Sequence, residues 1–286
     1  YEGFTRNFVN VKSIAADGGA GNDVILIGSS VTLDVLLEGG EGNDHLRYLG
    51  QGSAEIYGGK GNDILIGRSE ALEGDGGADY LDGGDGNDVI DAGIGDDEIY
   101  GGAGNDRISG GEGNDYIEAG SGEDRVAGND GDDEIYGDGG DDTLTGDSGN
   151  DRLFGGDGSD RIYGVEGDDI ISGDDGDDLL VGGEGADVLR GADGDDRITW
   201  ADGDGSDKTI NGGAGSDSIR IEASAADDNI EISAVEIGKS NGVRVSVDGS
   251  ALDSRSVERI SLDAGDGADT LVIGDIEGSS VKAISY

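Results

Sequence analysis

From Gly74 to Thr199 the sequence repeats a nine-residue unit fourteen times without a break. Each copy reads Gly/Ala-x-x-Gly-x-Asp-x-aliphatic-x, as in Gly83-Gly84-Asp85-Gly86-Asn87-Asp88-Val89-Ile90-Asp91. In all fourteen the fourth place is Gly, the sixth is Asp and the eighth is Ile, Leu or Val. A short period kept this strictly is satisfied by a solenoid, where every unit sits in the same surroundings. Places one to six read as a Gly-rich loop, and places seven to nine as a three-residue strand with side chains alternating out, in, out. Place eight then fills the core. Glycines at places one, two and four permit left-handed turns and bring carbonyl groups close together.

The sixth-place Asp adds a carboxylate to that nest of carbonyl oxygens. Hard oxygen ligands in flexible geometry suit calcium better than zinc or magnesium. Two units make one turn of a flattened coil, and turns stack at about 4.8 Å, the usual strand spacing. The sequence therefore predicts an all-β fold, a right-handed parallel β-roll or β-helix solenoid with calcium-binding turns. Each loop of the regular run faces the loop eighteen residues later. Sharing ions between such loops gives a cofactor complement of multiple Ca²⁺ ions, about twelve or more.

Composition bears on how such a chain folds. Its 286 residues include 61 Gly, no Pro, Cys or Met, and carry a net charge of −48. Acid-rich, aromatic-poor chains usually stay disordered, because repulsion and weak apolar burial do not offset chain entropy. Here the apolar residues are periodic and the acids hold fixed places, so neutralisation by a divalent cation would let the chain compact. The same charge argues against nucleic acid as a partner. Without Cys there is no disulfide framework, and no apolar run is long enough to span a membrane. The chain begins at Tyr1 and shows no signal peptide or terminal secretion signal, so it reads as a segment of something larger.

The expected ligands are the sixth-place Asp79, Asp88, Asp97, Asp106, Asp115, Asp124, Asp133, Asp142, Asp151, Asp160, Asp169, Asp178, Asp187 and Asp196, with backbone carbonyls of their loops. Earlier loops add Asp23, Asp44 and Asp63, and later ones Asp207, Asp217 and Asp269. The early loops start 21, 19 and 16 residues from the next, close to one turn on average. Asp23, Asp44, Asp63 and Asp79 are therefore expected in one column. The opposite half-turns keep only an inward aliphatic, Leu37, Ile56 and Leu72, so calcium would bind on one side at first.

Four stretches follow from this reading. Residues 1–73 are irregular turns, 74–199 the regular roll, and 200–222 degenerate turns. Residues 223–286 are an ion-poor β-helix or cap, followed by a restarting loop. Within the last stretch, Asn229-Ile-Glu-Ile-Ser and Val243-Arg-Val-Ser-Val read as longer strands, with turns at Asn241-Gly242 and Asp248-Gly249.

The unit Gly-Gly-x-Gly-x-Asp-x-aliphatic-x resembles the RTX, or hemolysin-type, calcium-binding nonapeptide. That resemblance implies a parallel β-roll, folding driven by calcium, and export by type I secretion machinery to the cell surface or the medium. The expected function is non-enzymatic: a calcium-binding segment of a large secreted or cell-surface bacterial protein of adhesin, S-layer or extracellular-fibre type. The alternative is the carrier domain of a secreted protease, lipase, epimerase or cytolysin whose catalytic part lies outside these residues.

Catalytic readings have little support. Gly146-Asp-Ser-Gly imitates a serine-protease signature but is places one to four of the repeat, and the only histidine is His45. No His-Glu-x-x-His zinc motif occurs. Place three varies too much for a regular ice-binding array. The outward places are more suggestive. Arg107, Arg125, Arg161 and Arg197 form a ladder at place seven, and Tyr100, Tyr136 and Phe154 recur at place nine of the other column. An arginine ladder with nearby aromatics would suit an acidic surface polysaccharide. The plainer reading is that the arginines offset acidic loops. Self-association is a further possibility, and insertion of this segment into a membrane is not expected.

Overall fold

The computed structural model describes residues 11–50, 52–68, 77–201, 209–222, 229–237, 240–247, 250–255, 257–263, 270–273 and 283–285. All regular elements among them are β-strands. They form two sheets, A with 15 strands and B with 13. Through the repeats the chain visits the sheets in turn, so neighbours within a sheet come from successive turns. In sheet A, Tyr116–Ser121 pairs in parallel with Glu98–Ala103 before it and Glu134–Gly139 after it. In sheet B, Arg107–Glu112 lies between Val89–Ile94 and Arg125–Asp130. The result is a parallel β-solenoid of about 11 turns, as the nine-residue period predicts.

The strands are longer than expected. Glu98–Ala103 and its equivalents have six residues rather than three, running from place seven to place three of the next unit. Glycines at places one and two join the ladder, the second with a positive φ that favours glycine, as in Gly102 (106°) opposite Gly120 (103°). The loop shrinks to places four, five and six. Burial alternates along each strand so that both place eight and place one face inward. Place eight supplies the core, with Ile99, Ile117, Ile135, Leu144, Leu153, Ile162 and Leu180 fully buried.

Place one is Gly through most of the run, with buried Ala92 and Ala119 as exceptions. In sheet B it becomes large at both ends. Ile27 lies opposite Tyr48 in the first turns, and Trp200, Ile221 and Leu262 stack in the last. Tyr48 and Trp200 are among the largest fully buried side chains of the molecule. The Tyr48 hydroxyl accepts from the Gly52 N–H (2.6 Å) and donates to the Leu33 carbonyl (3.1 Å), which keeps this buried polar group satisfied.

Beyond Glu222 sheet B simply continues through Arg259–Asp263 and Ala283–Ser285. Sheet A continues through a meander. Ser250–Arg255 pairs in parallel with Thr209–Ala214, then antiparallel with Ser240–Val247, which is antiparallel to Asn229–Ile237. Asn229–Ile237 in turn pairs in parallel with Thr270–Ile273. The long strands are thus present, but Asn241-Gly242 is not their turn. These residues sit inside the ladder opposite Glu236 and Val235, and Ile237 pairs with Ser240. The observed register sets Ile230, Ile232 and Ala234 opposite Val247, Val245 and Val243. A reversal at Asn241-Gly242 would set Val247 opposite Glu236. Cross-strand matching outweighs the local turn signal.

Candidate metal centre

The loops form two columns, one along each edge of the roll. In the column leading from sheet A to sheet B stand Asp23, Asp44, Asp63, Asp88, Asp106, Asp124, Asp142, Asp160, Asp178, Asp196 and Asp217. The other holds Asp79, Asp97, Asp115, Asp133, Asp151, Asp169 and Asp187. Each carboxylate does the same job for the turn before it. The Asp124 N–H donates to Asp142 Oδ1 at 2.7 Å, and the Asp142 N–H to Asp160 Oδ1 at 2.8 Å. From Asp44 onward, one oxygen of each such Asp thus ties its turn to the preceding one.

Asp79 stands in the other column from the one expected. The Asp63 N–H donates to Asp88 Oδ1 (2.6 Å), whereas Asp79 Oδ1 accepts from Ala54 (2.8 Å). The 16-residue interval between the two loops is therefore a crossing to the opposite edge and not a turn. The full turn here is the 25 residues from Asp63 to Asp88. The opposite core column accordingly runs Leu37, Ile56, Leu81. Leu72, expected there, lies outside the described residues, as do Asp207 and Asp269.

The second carboxylate oxygen is the informative atom. Oδ2 is buried without a hydrogen-bond partner in Asp23, Asp44, Asp63, Asp88, Asp97, Asp106, Asp115, Asp124, Asp133, Asp142, Asp151, Asp160, Asp169, Asp178, Asp196 and Asp217. An unsatisfied buried polar atom costs about 1–3 kcal/mol, and more when charged. Summed over these atoms, the cost exceeds the roughly 5–15 kcal/mol by which a domain is stable. A cation, a proton or a donor water must therefore meet them. The space is ready for a cation. A methyl group added at Gly137 would lie 2.6 Å from Asp142 Oδ2 and 2.5 Å from the Gly155 carbonyl oxygen, so both oxygens border one small cradle. Gly58 is placed in the same way between Asp63 Oδ2 (2.6 Å) and the Gly83 carbonyl (2.5 Å).

Among the described residues no three acidic or histidine side chains converge on a point. Each cradle instead combines a carboxylate oxygen with backbone carbonyls, the mixed oxygen set that suits a hard, flexible cation such as calcium. Electrostatics agree. Burial, partly countered by the backbone hydrogen bond, pushes Asp88, Asp97, Asp115, Asp133, Asp142, Asp169 and Asp178 up to about 7. Asp106, Asp151, Asp160 and Asp196 rise to about 6 for the same reason. The fold leaves these carboxylates short of positive charge.

Two features escape a reading by places alone. Place five carries its own ladder, running the opposite way: the Asn105 N–H donates to Asn87 Oδ1 (2.8 Å), and Asp132 to Asn114 Oδ1 (2.8 Å). The frequent Asn and Asp at that place are its signal. At the far end Glu258 extends the first column, its Oε2 accepting from the Asp217 N–H at 3.0 Å. No repeat surrounds Glu258, so nothing local marks it.

The outer faces differ from each other. On sheet B the place-seven column reads Val89, Arg107, Arg125, Thr143, Arg161, Leu179, Arg197. A file of aromatics lies on sheet A, with ring centroids of Tyr57, Tyr80, Tyr100, Tyr116, Tyr136 and Phe154 spaced at 5.5, 5.5, 6.2, 5.7 and 4.9 Å. The four ladder arginines and this aromatic file thus lie on opposite sides of the roll, while Arg152 stands beside Phe154 on sheet A and Tyr163 beside Arg161 on sheet B. The reason is topological: the two columns belong to different sheets.

Comparison with known families agrees with this geometry. The family model described as the RTX calcium-binding nonapeptide repeat (four copies) matches residues 48–207 in overlapping stretches. No curated protein matches the chain.

Proposed function

Since this chain belongs to the RTX calcium-binding nonapeptide repeat family, we propose that the buried aspartates of its two loop columns are the calcium ligands. They would hold about twelve ions or more, estimated from the shared gaps between stacked loops. RTX repeats bind calcium and build β-roll domains. The observation carrying the finer reading is the file of partnerless Oδ2 atoms, most of them beside a backbone carbonyl, as at Asp63, Asp142 and Asp160. Oδ1 stitches one turn to the next and Oδ2 faces the cation, so each Asp couples the ions to the stack.

The biological role follows from that coupling. Without calcium the 66 acidic residues, against 18 basic ones, repel and the chain stays open. That state is one a type I exporter can thread. Outside the cell, millimolar calcium matches the roughly 10⁻⁴–10⁻³ M affinities of extracellular modules, and binding to the folded state alone draws the chain into it. We read the protein as a secreted or cell-surface segment of adhesin, S-layer or fibre type that stiffens after export. Carriage of a catalytic part elsewhere in the polypeptide is the alternative, and it predicts the same calcium response.

Equilibrium dialysis against calcium tests the ligand assignment. The wild-type chain should bind about twelve ions or more, and Asp142→Ala should bind fewer with weaker cooperativity. One or two ions per chain, or full replacement by magnesium, would overturn it.

A further inference from the structure

Along places seven and nine the two outer faces differ in charge. Sheet A is acidic as far as Glu134 and turns basic at Arg152 and Arg190. Sheet B is basic from Arg107 onward, with acids such as Glu112 and Asp130 only toward its loop edge. On sheet A the outward places alternate ring and acid turn by turn: Glu55 with Tyr57, Tyr80 with Asp82, Glu98 with Tyr100, Tyr116 with Glu118, Glu134 with Tyr136. Each acid thus lies beside a ring both along its strand and across to the next. The hydroxyls of Tyr100 and Tyr136 hold Glu98 (2.7 Å) and Glu134 (2.6 Å), and Tyr116 holds Glu118. These contacts fix the carboxylates in a row along the roll.

On sheet B the exposed Arg107, Arg125, Arg161 and Arg197 form the opposing row. A shallow groove beside Arg107 and Arg125 is lined by the short side chains of Ser109, Ala127, Thr143 and Thr145, with Asp91 as its one carboxylate. Among the described residues the single ion pair is Lys60–Glu41 at 3.2 Å. The arginines therefore do not offset the acidic loops by direct pairing, although the chain has 66 acidic residues.

We infer that these faces dock on one another, the carboxylate–tyrosine face of one copy receiving the arginine face of a second. Guanidinium groups pair with carboxylates and stack on aromatic rings, and the sheet A face offers both side by side. Spacing is matched by construction, because both faces belong to one solenoid and repeat at about 4.8 Å. Few partners share that repeat over many turns, and a second copy does so along its whole length. The acid row starts at Glu55 and the arginine row only at Arg107, so the two rolls meet staggered along their axes. Such a contact is heterologous. It leaves one face of each kind unfilled at the two ends, and it propagates into open stacks rather than closing as a dimer.

The inference rests on the calcium-folded roll, so folding is read separately by circular dichroism in calcium. Size is read by analytical ultracentrifugation of the whole chain. In calcium the wild type should grow severalfold in mass with concentration, and salt should reverse that growth. Glu98→Lys/Glu118→Lys/Glu134→Lys should stay monomeric, as should Arg107→Glu/Arg125→Glu/Arg161→Glu/Arg197→Glu. Mixing the two variants restores complementary faces and should restore assembly. The milder Gln substitutions at the same positions should weaken assembly in the same direction with less risk to folding. A wild type that folds in calcium yet stays monomeric at every concentration overturns the inference. So does assembly that persists in either charge-reversed set. Monomeric chains retained by an immobilised amino-sugar polymer through Glu98, Glu118 and Glu134 would assign the sheet A face to a glycan and equally overturn it.

Discussion

The middle of the roll and its two ends solve the same packing problem differently. In the middle, the inward place after the core aliphatic is glycine, or alanine at Ala92 and Ala119, and a carboxylate cradle lies beside it. In sheet B at the ends that place holds Ile27 and Tyr48, or Trp200, Ile221 and Leu262. The loops that follow Ile27 and Tyr48 carry no sixth-place Asp. Where ions are to hold the turn, the chain keeps side chains out so that carbonyls can approach. After Ile27 and Tyr48, where no such Asp follows, apolar side chains fill the space, and Trp200 fills it ahead of the loop that holds Asp207. The middle carries carboxylate cradles along both edges, whereas the ends keep them along one edge and fill sheet B with apolar side chains, so the two should respond differently to the same perturbation.

Trp200→Ala should give the largest effect of a single change. It empties a fully buried site, and such truncations cost about 3–5 kcal/mol. Urea unfolding in saturating calcium should show this loss, while the calcium midpoint of the regular run moves little. An equal shift in both would break the proposed division. Trp200→Phe should cost much less, because the indole N–H is buried without a partner.

Asp142→Ala should come next. It leaves the Asp124 N–H without its acceptor and removes one Oδ2. Loss of the buried hydrogen bond alone costs about 1–3 kcal/mol. The calcium midpoint should rise and the transition should broaden. Asp217→Ala, whose outer neighbour is Glu258, should do less of both. Similar titration curves for the two variants would show that position in the stack does not matter.

Acidity sharpens the contrast without mutation. Burial raises Asp88, Asp115 and Asp142 to about 7, and Asp106 and Asp160 to about 6, against an ordinary 3.8. The folded chain therefore binds protons that the unfolded chain releases. The stability this brings is complete below about 3.8 and is lost as pH rises through about 7. In chelator, β-structure should grow as pH falls from about 7 toward 4. In limiting calcium the same acid should weaken ion binding, since protons compete for Oδ2. Chelated chains equally unfolded across that range would contradict the burial of these groups.

The smallest effect is expected from the place-five ladder. Asn114→Ala removes the acceptor of the exposed Asp132 N–H. The expected loss is roughly 0.5 kcal/mol, the low end for a hydrogen bond, since water replaces it. Chemical denaturation in calcium would measure it.

These predictions draw on parts of the molecule that were unequally legible in the sequence. Places four, six and eight declared themselves because fourteen copies repeat one environment, so Gly140, Asp142 and Leu144 could be given a turn, a ligand position and a core position by pattern alone. What was missed depends on stacking across turns. Asp79 looked like the next step of the first column, because a crossing of 16 residues resembles a slightly short turn. The place-five ladder joins residues eighteen apart, as Asn87 and Asn105 are, and no local propensity encodes it. Glu258 is tied to Asp217 over 41 residues of chain. The Asn241-Gly242 turn failed because the cross-strand register of Ile230–Ala234 with Val243–Val247 decided the reversal instead.

The central claim is that cations meeting the buried Oδ2 atoms hold the middle of the roll together. Far-ultraviolet circular dichroism during a calcium titration of the whole chain tests it most directly, with the fluorescence of Trp200, the only tryptophan, reporting the end beside the run. Coil spectra in chelator at neutral pH, and a steep cooperative gain of β-structure with calcium but not with magnesium, are predicted. A roll that is fully formed in chelator at neutral pH, or restored by magnesium alone, would contradict the account.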